Sequence, residues 1–373
     1  MKLRILFAIH GPRDPQTAVF LTAQRRADYL MAQGHTVEIL TPADLPFGSW
    51  SRLQPLVLPF GLLTRNLREY DVVVFQSHLG WAHALLRRTG RSTRPATIVA
   101  FHGLEPLYYE ALAAELARTG ERLSARFILF HQRLVPRLLG FTSRRADRVL
   151  CLNSRERDFI VSRGWAEPER VRVVPNGVER DLFTEGRFYA ARASRLLFTG
   201  QWLRAKGIRY LVHAFESLAS RYPAIELTCL GTGAREDAVR RDFAPSVRGR
   251  VRVLPRVNRE ELAGELNRAD IFVFPSLSEG FSGALLEAMA SALPVVATAA
   301  GAAAELLRHG ENALVAPIAD APALIESIDR LIDRTDLRQQ LGGRARATAA
   351  AYEWDAVNEC FASELLATVS AIA

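Results

Sequence analysis

The stretch from Phe274 to Gly301, FPSLSEGFSGALLEAMASALPVVATAAG, constrains the fold more than any other part of the chain. Its lead-in FVFPS is a short apolar run closed by Pro275 and a Ser-rich turn, the pattern of a strand buried on both faces. SEGFSG then packs two glycines, two serines and an acid into a loop, and ALLEAMASA follows with strong helix formers. Ser282 stands where an N-cap would be, and PVVAT reads as a second buried strand. Strand, glycine-rich loop, helix and strand make a βαβ unit whose loop opens a helix N-terminus. Unpaired N–H groups and the positive end of the helix dipole suit that spot to a phosphate. Glu279 and Glu287 flank it. A carboxylate repels a phosphate, so each reads as an acceptor of sugar-hydroxyl hydrogen bonds; the plainer alternative is a turn residue and a solvated helix residue.

With 373 residues, the chain is expected to form two domains. A hydrophobic content of 49% is that of a globular protein, and no stretch approaches the length of a membrane span. The N-terminal run LRILFAI is too short for a signal peptide and no cleavage-like site follows it. Cys151, Cys229 and Cys360 are odd in number and far apart, which predicts neither a disulfide framework nor a metal site and points to a reducing, cytoplasmic setting. The net charge is +8, yet of 48 basic residues only Lys2 and Lys206 are lysines, so Lys206 stands out. No basic stripe with interleaved aromatics is present, which argues against nucleic acid as a partner.

In chain order, LRILFAI is a first strand, TAQRRADYLMAQG an amphipathic helix and HTVEILT the next strand, a Rossmann-like opening without GxGxxG. DVVVFQSH and ATIVAFHG end in His-bearing loops at strand carboxyl ends, and RVLCLNS and RVRVVPNGV continue the series. RLLFTG starts a second alternating series with IELTCLG, RVRVLPRV and the unit described above. The expected architecture is α/β, two tandem Rossmann-like doubly wound domains facing a cleft. Residues 1–180 form an N-terminal acceptor-side domain, 181–194 a linker and 195–350 a C-terminal nucleotide-sugar-binding domain. Residues 351–373 form a helix packing back on the N-terminal domain.

SEGFSGALLEAMASALPVVAT, with FTGQWLRAKG and VVPNGV before it, resembles the retaining glycosyltransferases of family 4, which have the GT-B fold. The resemblance runs in order along nearly the whole chain and is strongest from Arg172 to Pro317. It implies sugar transfer from a nucleoside-diphosphate sugar to a glycan or lipid-linked acceptor, with retention, no cofactor and no metal. By the same resemblance Lys206 contacts the donor diphosphate. Glu279, Gly280, Phe281, Ser282 and Gly283 hold the donor sugar and phosphates, and Glu287 holds the ribose. His102 meets the sugar near the reacting carbon. The chain departs from the family pattern at Gln201, where an arginine is usual, with Arg204 as its substitute. Asp14-Pro15-Gln16-Thr17 stands where Gly-Gly is common, leaving Gly11 as the stand-in, and Pro255 replaces a common glycine. His10 and His78 read as structural or acceptor-side.

Arg118 to Arg148 holds eight arginines against Glu121 and Asp147. Drawn as a helix, Arg122, Arg126, Arg133, Arg137 and Arg144 share one side, with Phe127, Ile128, Leu134, Val135 and Leu138 opposite and Pro136 kinking or breaking the run. A solvated basic face is the plain reading; a peripheral contact with the anionic inner face of the membrane is the sharper one. Other functions consistent with the residues are a non-catalytic nucleotide-sugar-binding protein or transferase-complex subunit, a sugar-nucleotide epimerase, and a glycosidase using Glu279 and Glu287.

Overall fold

A computed structural model of the chain describes residues 2–15, 17–46, 54–86 and 95–372. The chain divides into two compact units. The first comprises residues 1–109, 123–176 and 354–373, and the second residues 110–122 and 177–353.

The first unit contains a parallel sheet of six strands: β1 (Arg4–Ala8), β2 (Thr36–Leu40), β3 (Val72–Gln76), β4 (Ala96–Ala100), β5 (Arg148–Cys151) and β6 (Val171–Val173). They lie in the order β2-β1-β3-β4-β5-β6. β3 and β4 are buried along their whole length, which is why VVVFQ and ATIVA carry almost no polar alternation. The final helix, Trp354–Ser370, belongs to this unit. Its Phe361, Leu365 and Val369 pack with Leu3, Ile5, Phe7, Ala27 and Leu30, and the Phe7 and Phe361 rings stand 5.9 Å apart.

The second unit repeats the scheme with β7 (Arg195–Thr199), β8 (Glu226–Leu230), β9 (Val251–Leu254), β10 (Ile271–Phe274), β11 (Val295–Thr298) and β12 (Leu314–Ala316). Their order is β12-β11-β10-β7-β8-β9, all parallel. Its core joins Leu196, Phe198 and Leu227 of the sheet to Leu211, Phe215 and Leu218 of the helix Ile208–Arg221. Residues 181–194, which sequence reads as a linker, are counted with this unit and are tied to it. The Arg187 guanidinium donates to the carbonyls of Ser291 and Leu266, both at 2.9 Å, and of Ala269; Tyr189 Oη donates to the Ala292 carbonyl at 2.7 Å.

The arginine-rich segment of the first unit is one helical run: an α turn at Ala125–Phe127, a π-helix at Ile128–Leu134 and an α-helix at Val135–Arg145. The break expected at Pro136 takes the form of that π-helix. The proline sits in the first turn of the α segment, and the wider π register upstream accommodates a ring that has no N–H to give. Arg122, Arg126, Arg133, Arg137 and Arg144 are all exposed, and Val135 is buried. Among the described residues, no helix is long and apolar enough to cross a membrane.

Candidate functional site

In open parallel sheets, ligands collect outside the carboxyl ends of the strands where strand order reverses. In the second unit that point lies between β7 and β10, and both strands deliver sequence-singled residues there. β7 runs into Gly200 and Gln201, then a 3₁₀ turn at Arg204–Lys206 that ends on Gly207 in a left-handed conformation, φ +71°. A Cβ at Gly207 would stand 1.9 Å from the Pro275 carbonyl oxygen, so the two loops touch backbone to backbone. The Leu277 N–H donates to the Ala205 carbonyl at 2.8 Å and closes the contact.

This approach brings Lys206 onto Glu279. The ammonium donates to both carboxylate oxygens, at 2.7 and 2.9 Å, and Ser276 Oγ donates to one of them at 2.7 Å. The Glu279 side chain is 8% exposed and that of Lys206 27%, so the lysine covers the acid while its own outer side meets solvent. Gly301, φ +57°, presses on the same loop from β11, where a Cβ would stand 1.9 Å from the Glu279 carbonyl oxygen. The Ala302 N–H donates to the Gly280 carbonyl at 3.0 Å. The loop therefore has little freedom, and the helix Gly283–Ala290 starts from it.

Ser282 caps that helix as its position predicts, its side chain accepting from the Leu285 N–H at 3.4 Å. Phe281 is buried, with its ring 5.6 Å from that of Tyr352. Gly283 has open space where a Cβ would be. Glu287 sits one turn further on. Burial pushes its carboxyl up to about 7, against the downward pull of Arg259, with Glu179 adding to the rise. Arg259 is itself held by Asp181, with Nε donating at 2.8 Å.

Two further sequence-singled residues, Gln201 and Arg204, belong to the same loop after β7 as Lys206. Gln201 is exposed, and the Arg204 guanidinium donates to the Glu121 carboxylate at 2.5 Å in a solvent-exposed ion pair, which leaves it available to an anionic ligand. Gly231 and Gly233, both left-handed, follow β8, and the Trp202 N–H donates to the Thr232 carboxamide oxygen of the main chain at 2.8 Å.

In the first unit the strand order reverses between β1 and β3. Gly11 follows β1 and is buried, with 3.2 Å between an added Cβ and Val19 Cγ1. Asp14, Pro15 and Thr17 are in the same loop, and Gln16 lies outside the described residues. His10 and His78, from the two strand ends, stack with ring centroids 6.0 Å apart. His102 follows β4. It borders a cavity of about 10 Å³ with Phe7, Ala8, Ile9, Ala23, Arg26, Val74, Gln76 and Ala100. Burial, then the Arg26 charge, then His10 push its imidazole down to about 3, so it is neutral at physiological pH.

Three residues there were not singled out from sequence. Ser77 adopts a left-handed φ of +53° and donates to the Glu105 carboxylate at 3.0 and 3.2 Å. Burial pushes the Glu105 carboxyl up to about 7. Arg26 is 4% exposed, lies over the Phe361 ring at 4.5 Å, and its Nε has no partner among the described residues. Sequence held one usable signal, an acid at the start of a helix right after a His-bearing strand end. Arg26 sits in an amphipathic pattern like any surface residue. Among the described residues, no group of three or more His, Cys, Asp or Glu is placed to hold a metal ion.

Two family models match the chain, "Glycosyltransferase Family 4" over residues 21–182 and "Glycosyl transferases group 1" over residues 193–334. Among relatives, a D-inositol 3-phosphate glycosyltransferase of Pseudarthrobacter chlorophenolicus is 33% identical over 208 residues, covering 52% of this chain and 50% of the relative. A phosphatidyl-myo-inositol mannosyltransferase of Mycolicibacterium smegmatis is 28% identical over 190 residues, covering 50% and 49%. The chain spans about half the length of the curated relatives it matches. Among solved structures, the sucrose-phosphate synthase of Thermosynechococcus elongatus superposes with a TM-score of 0.81 at 20% identity, covering 99% of this chain and 100% of that one, which is a likeness of fold.

Proposed function

The chain belongs to glycosyltransferase family 4 and has its GT-B fold, and from that premise we propose that it moves a sugar from a nucleoside-diphosphate sugar to a glycan or lipid-linked acceptor, with retention and without a metal. The observation that carries the reading is the Lys206–Glu279 pair beside the N-terminus of the helix Gly283–Ala290, at the strand-order reversal of the second unit.

The chemistry follows from the charges. The bond between the anomeric carbon and the β-phosphate oxygen breaks, and the acceptor hydroxyl oxygen bonds that carbon on the same face. The hydroxyl proton passes to the leaving phosphate. Negative charge grows on the diphosphate, and fixed donors aimed at it lower the barrier. Lys206, held in place by Glu279, and the free N–H groups at Ser282 and Gly283 are those donors. Glu287 takes the ribose hydroxyls. His102, as a neutral imidazole, is assigned to the donor sugar by family resemblance.

The names of the two relatives point to inositol-based acceptors, one a phosphate and one a phospholipid. A phosphorylated polyol or its lipid is the acceptor class they support here. Work at the inner membrane face, with contact through Arg122, Arg126, Arg133, Arg137 and Arg144, is the setting we propose, supported by the exposure of all five.

Thermal unfolding with UDP, GDP, ADP, dTDP and CMP tests the donor site. A nucleotide at about 100 times its dissociation constant stabilises by about 2.7 kcal/mol. One diphosphate is expected to shift the wild type, and Lys206→Ala to lose most of that shift. No shift with any of the five would overturn the reading.

A further inference from the structure

We propose that the first unit carries a second anion site, a pocket for a phosphate or diphosphate group lined by Arg133, Arg137, Arg144 and Arg163 and floored by Gly140 and Trp165. It deepens the membrane setting proposed above, from which it takes Arg133, Arg137 and Arg144, and none of its residues belongs to the candidate donor site.

The pocket is an open surface groove of about 440 Å³, completed by Gln132 and Pro136. No acidic side chain lines it. Arg133, Arg137, Gly140 and Arg144 fall at helical spacing on one face of the run that contains the π-helix. Gly140 makes the floor possible. A Cβ there would stand 2.7 Å from Trp165 Nε1 and 3.2 Å from Arg144 Nη1, so the indole edge and a guanidinium both lie directly over the glycine. Trp165 is fixed edge-on to Phe159 with centroids 5.6 Å apart, and Arg163 covers the Phe159 ring at 4.8 Å. The end of the helix is tied down by Arg170, whose guanidinium donates to the carbonyls of Arg144 at 3.2 Å and Ala146 at 2.9 Å.

The electrostatics are incomplete without an anion. Arg133, Arg137 and Arg144 make no ion pair among the described residues, whereas Arg148, Arg195, Arg252 and Arg259 all do. Several like charges gathered in one concavity repel each other, and a multiply charged anion relieves that repulsion. Guanidinium forks match phosphate oxygens two at a time, and the Trp165 indole Nε1–H beside Gly140 adds a neutral donor at the floor. Either an anionic lipid or a soluble phosphorylated compound presents that chemistry.

The test uses the full chain carrying Lys206→Ala and Glu279→Gln, so that the donor site does not report. Pyrophosphate binding is measured with and without Arg137→Gln and Arg144→Gln, both exposed and unpaired, with unfolding midpoints confirming an intact fold. The two added substitutions are expected to weaken pyrophosphate at least tenfold, and the matching lysine substitutions to weaken it less. Flotation with phosphatidylcholine vesicles, with and without phosphatidic acid, separates the sources. Binding to the acidic vesicles that is lost in the variant assigns a lipid phosphate; tenfold weaker pyrophosphate with no vesicle binding by the parent assigns a soluble ligand. Pyrophosphate affinity unchanged by the substitutions overturns the pocket, whatever the vesicles show, and leaves both the transferase reading and a diffuse basic face standing.

Discussion

Lys206 Nζ donates to both carboxylate oxygens of Glu279, 73 residues away in sequence, at 2.7 and 2.9 Å. The lysine that stands alone among arginines in its half of the chain thus meets the one acid of the helix-opening loop, before any ligand is considered. Removing one partner strands the other. Lys206→Ala leaves a carboxylate that is 8% exposed without its cation, and is expected to cost more stability than Lys206→Ala combined with Glu279→Gln. Denaturant unfolding of both variants reads the difference, expected at about 1–3 kcal/mol. The Glu279→Gln variant is expected to keep the nucleotide-induced shift in unfolding temperature, because Lys206 is then free for phosphate, and to lose measurable transfer.

Glu287 links stability to pH, and through its proposed ribose contact donor affinity as well. Its folded carboxyl is raised from 4.5 to about 7. Between those values the folded state holds a proton that the unfolded chain has released, so stability falls as pH rises through the window and the full cost is present above 7. Glu287→Gln is therefore expected to be the more stable protein at pH 8, by roughly 1–3 kcal/mol, and to lose that advantage near pH 5. Ribose hydroxyls favour the ionised carboxylate, so nucleotide affinity in the wild type should strengthen as pH passes 7, and the variant should show no such rise.

Gly207 and Gly301 set the shape of the Pro275–Gly283 loop. Both have left-handed backbones, and at each a Cβ would stand 1.9 Å from a carbonyl oxygen of the Pro275–Glu279 stretch. Gly207→Ala and Gly301→Ala should each cost about 2 kcal/mol or more and abolish the nucleotide-induced shift in unfolding temperature. Gly283→Ala, with open space around it, is the control and should change stability by less than about 1 kcal/mol.

His102 should act without titrating. With its imidazole held at about 3, the pH dependence of transfer between 5 and 8 carries no limb that disappears in His102→Asn. That variant is expected to lower kcat by about 10²-fold while leaving the nucleotide shift intact. A bell limb near 6.5 that vanishes with His102 would show a charged role instead.

Much of this was legible in the chain. Short apolar runs such as VVVFQ and FVF announce strands buried on both faces, because a parallel sheet covered by helices tolerates no polar alternation. The capping role of Ser282 follows from a local rule, since its side chain serves an N–H three residues away. The π-helix before Pro136 was visible only as a conflict between a helical pattern and a ring that cannot join it.

Local pattern along the chain set the alternation of strand and helix and the helix-opening loop with its glycines, serines and acid, because periodicity and capping act over a few residues. Tertiary structure alone decided the rest. It paired Lys206 with Glu279, set Arg204 beside Glu121, joined Ser77 to Glu105 and laid Trp165 over Gly140. Those contacts depend on strand order and on how closely two backbones approach, and neither leaves a mark in the local pattern of any one segment.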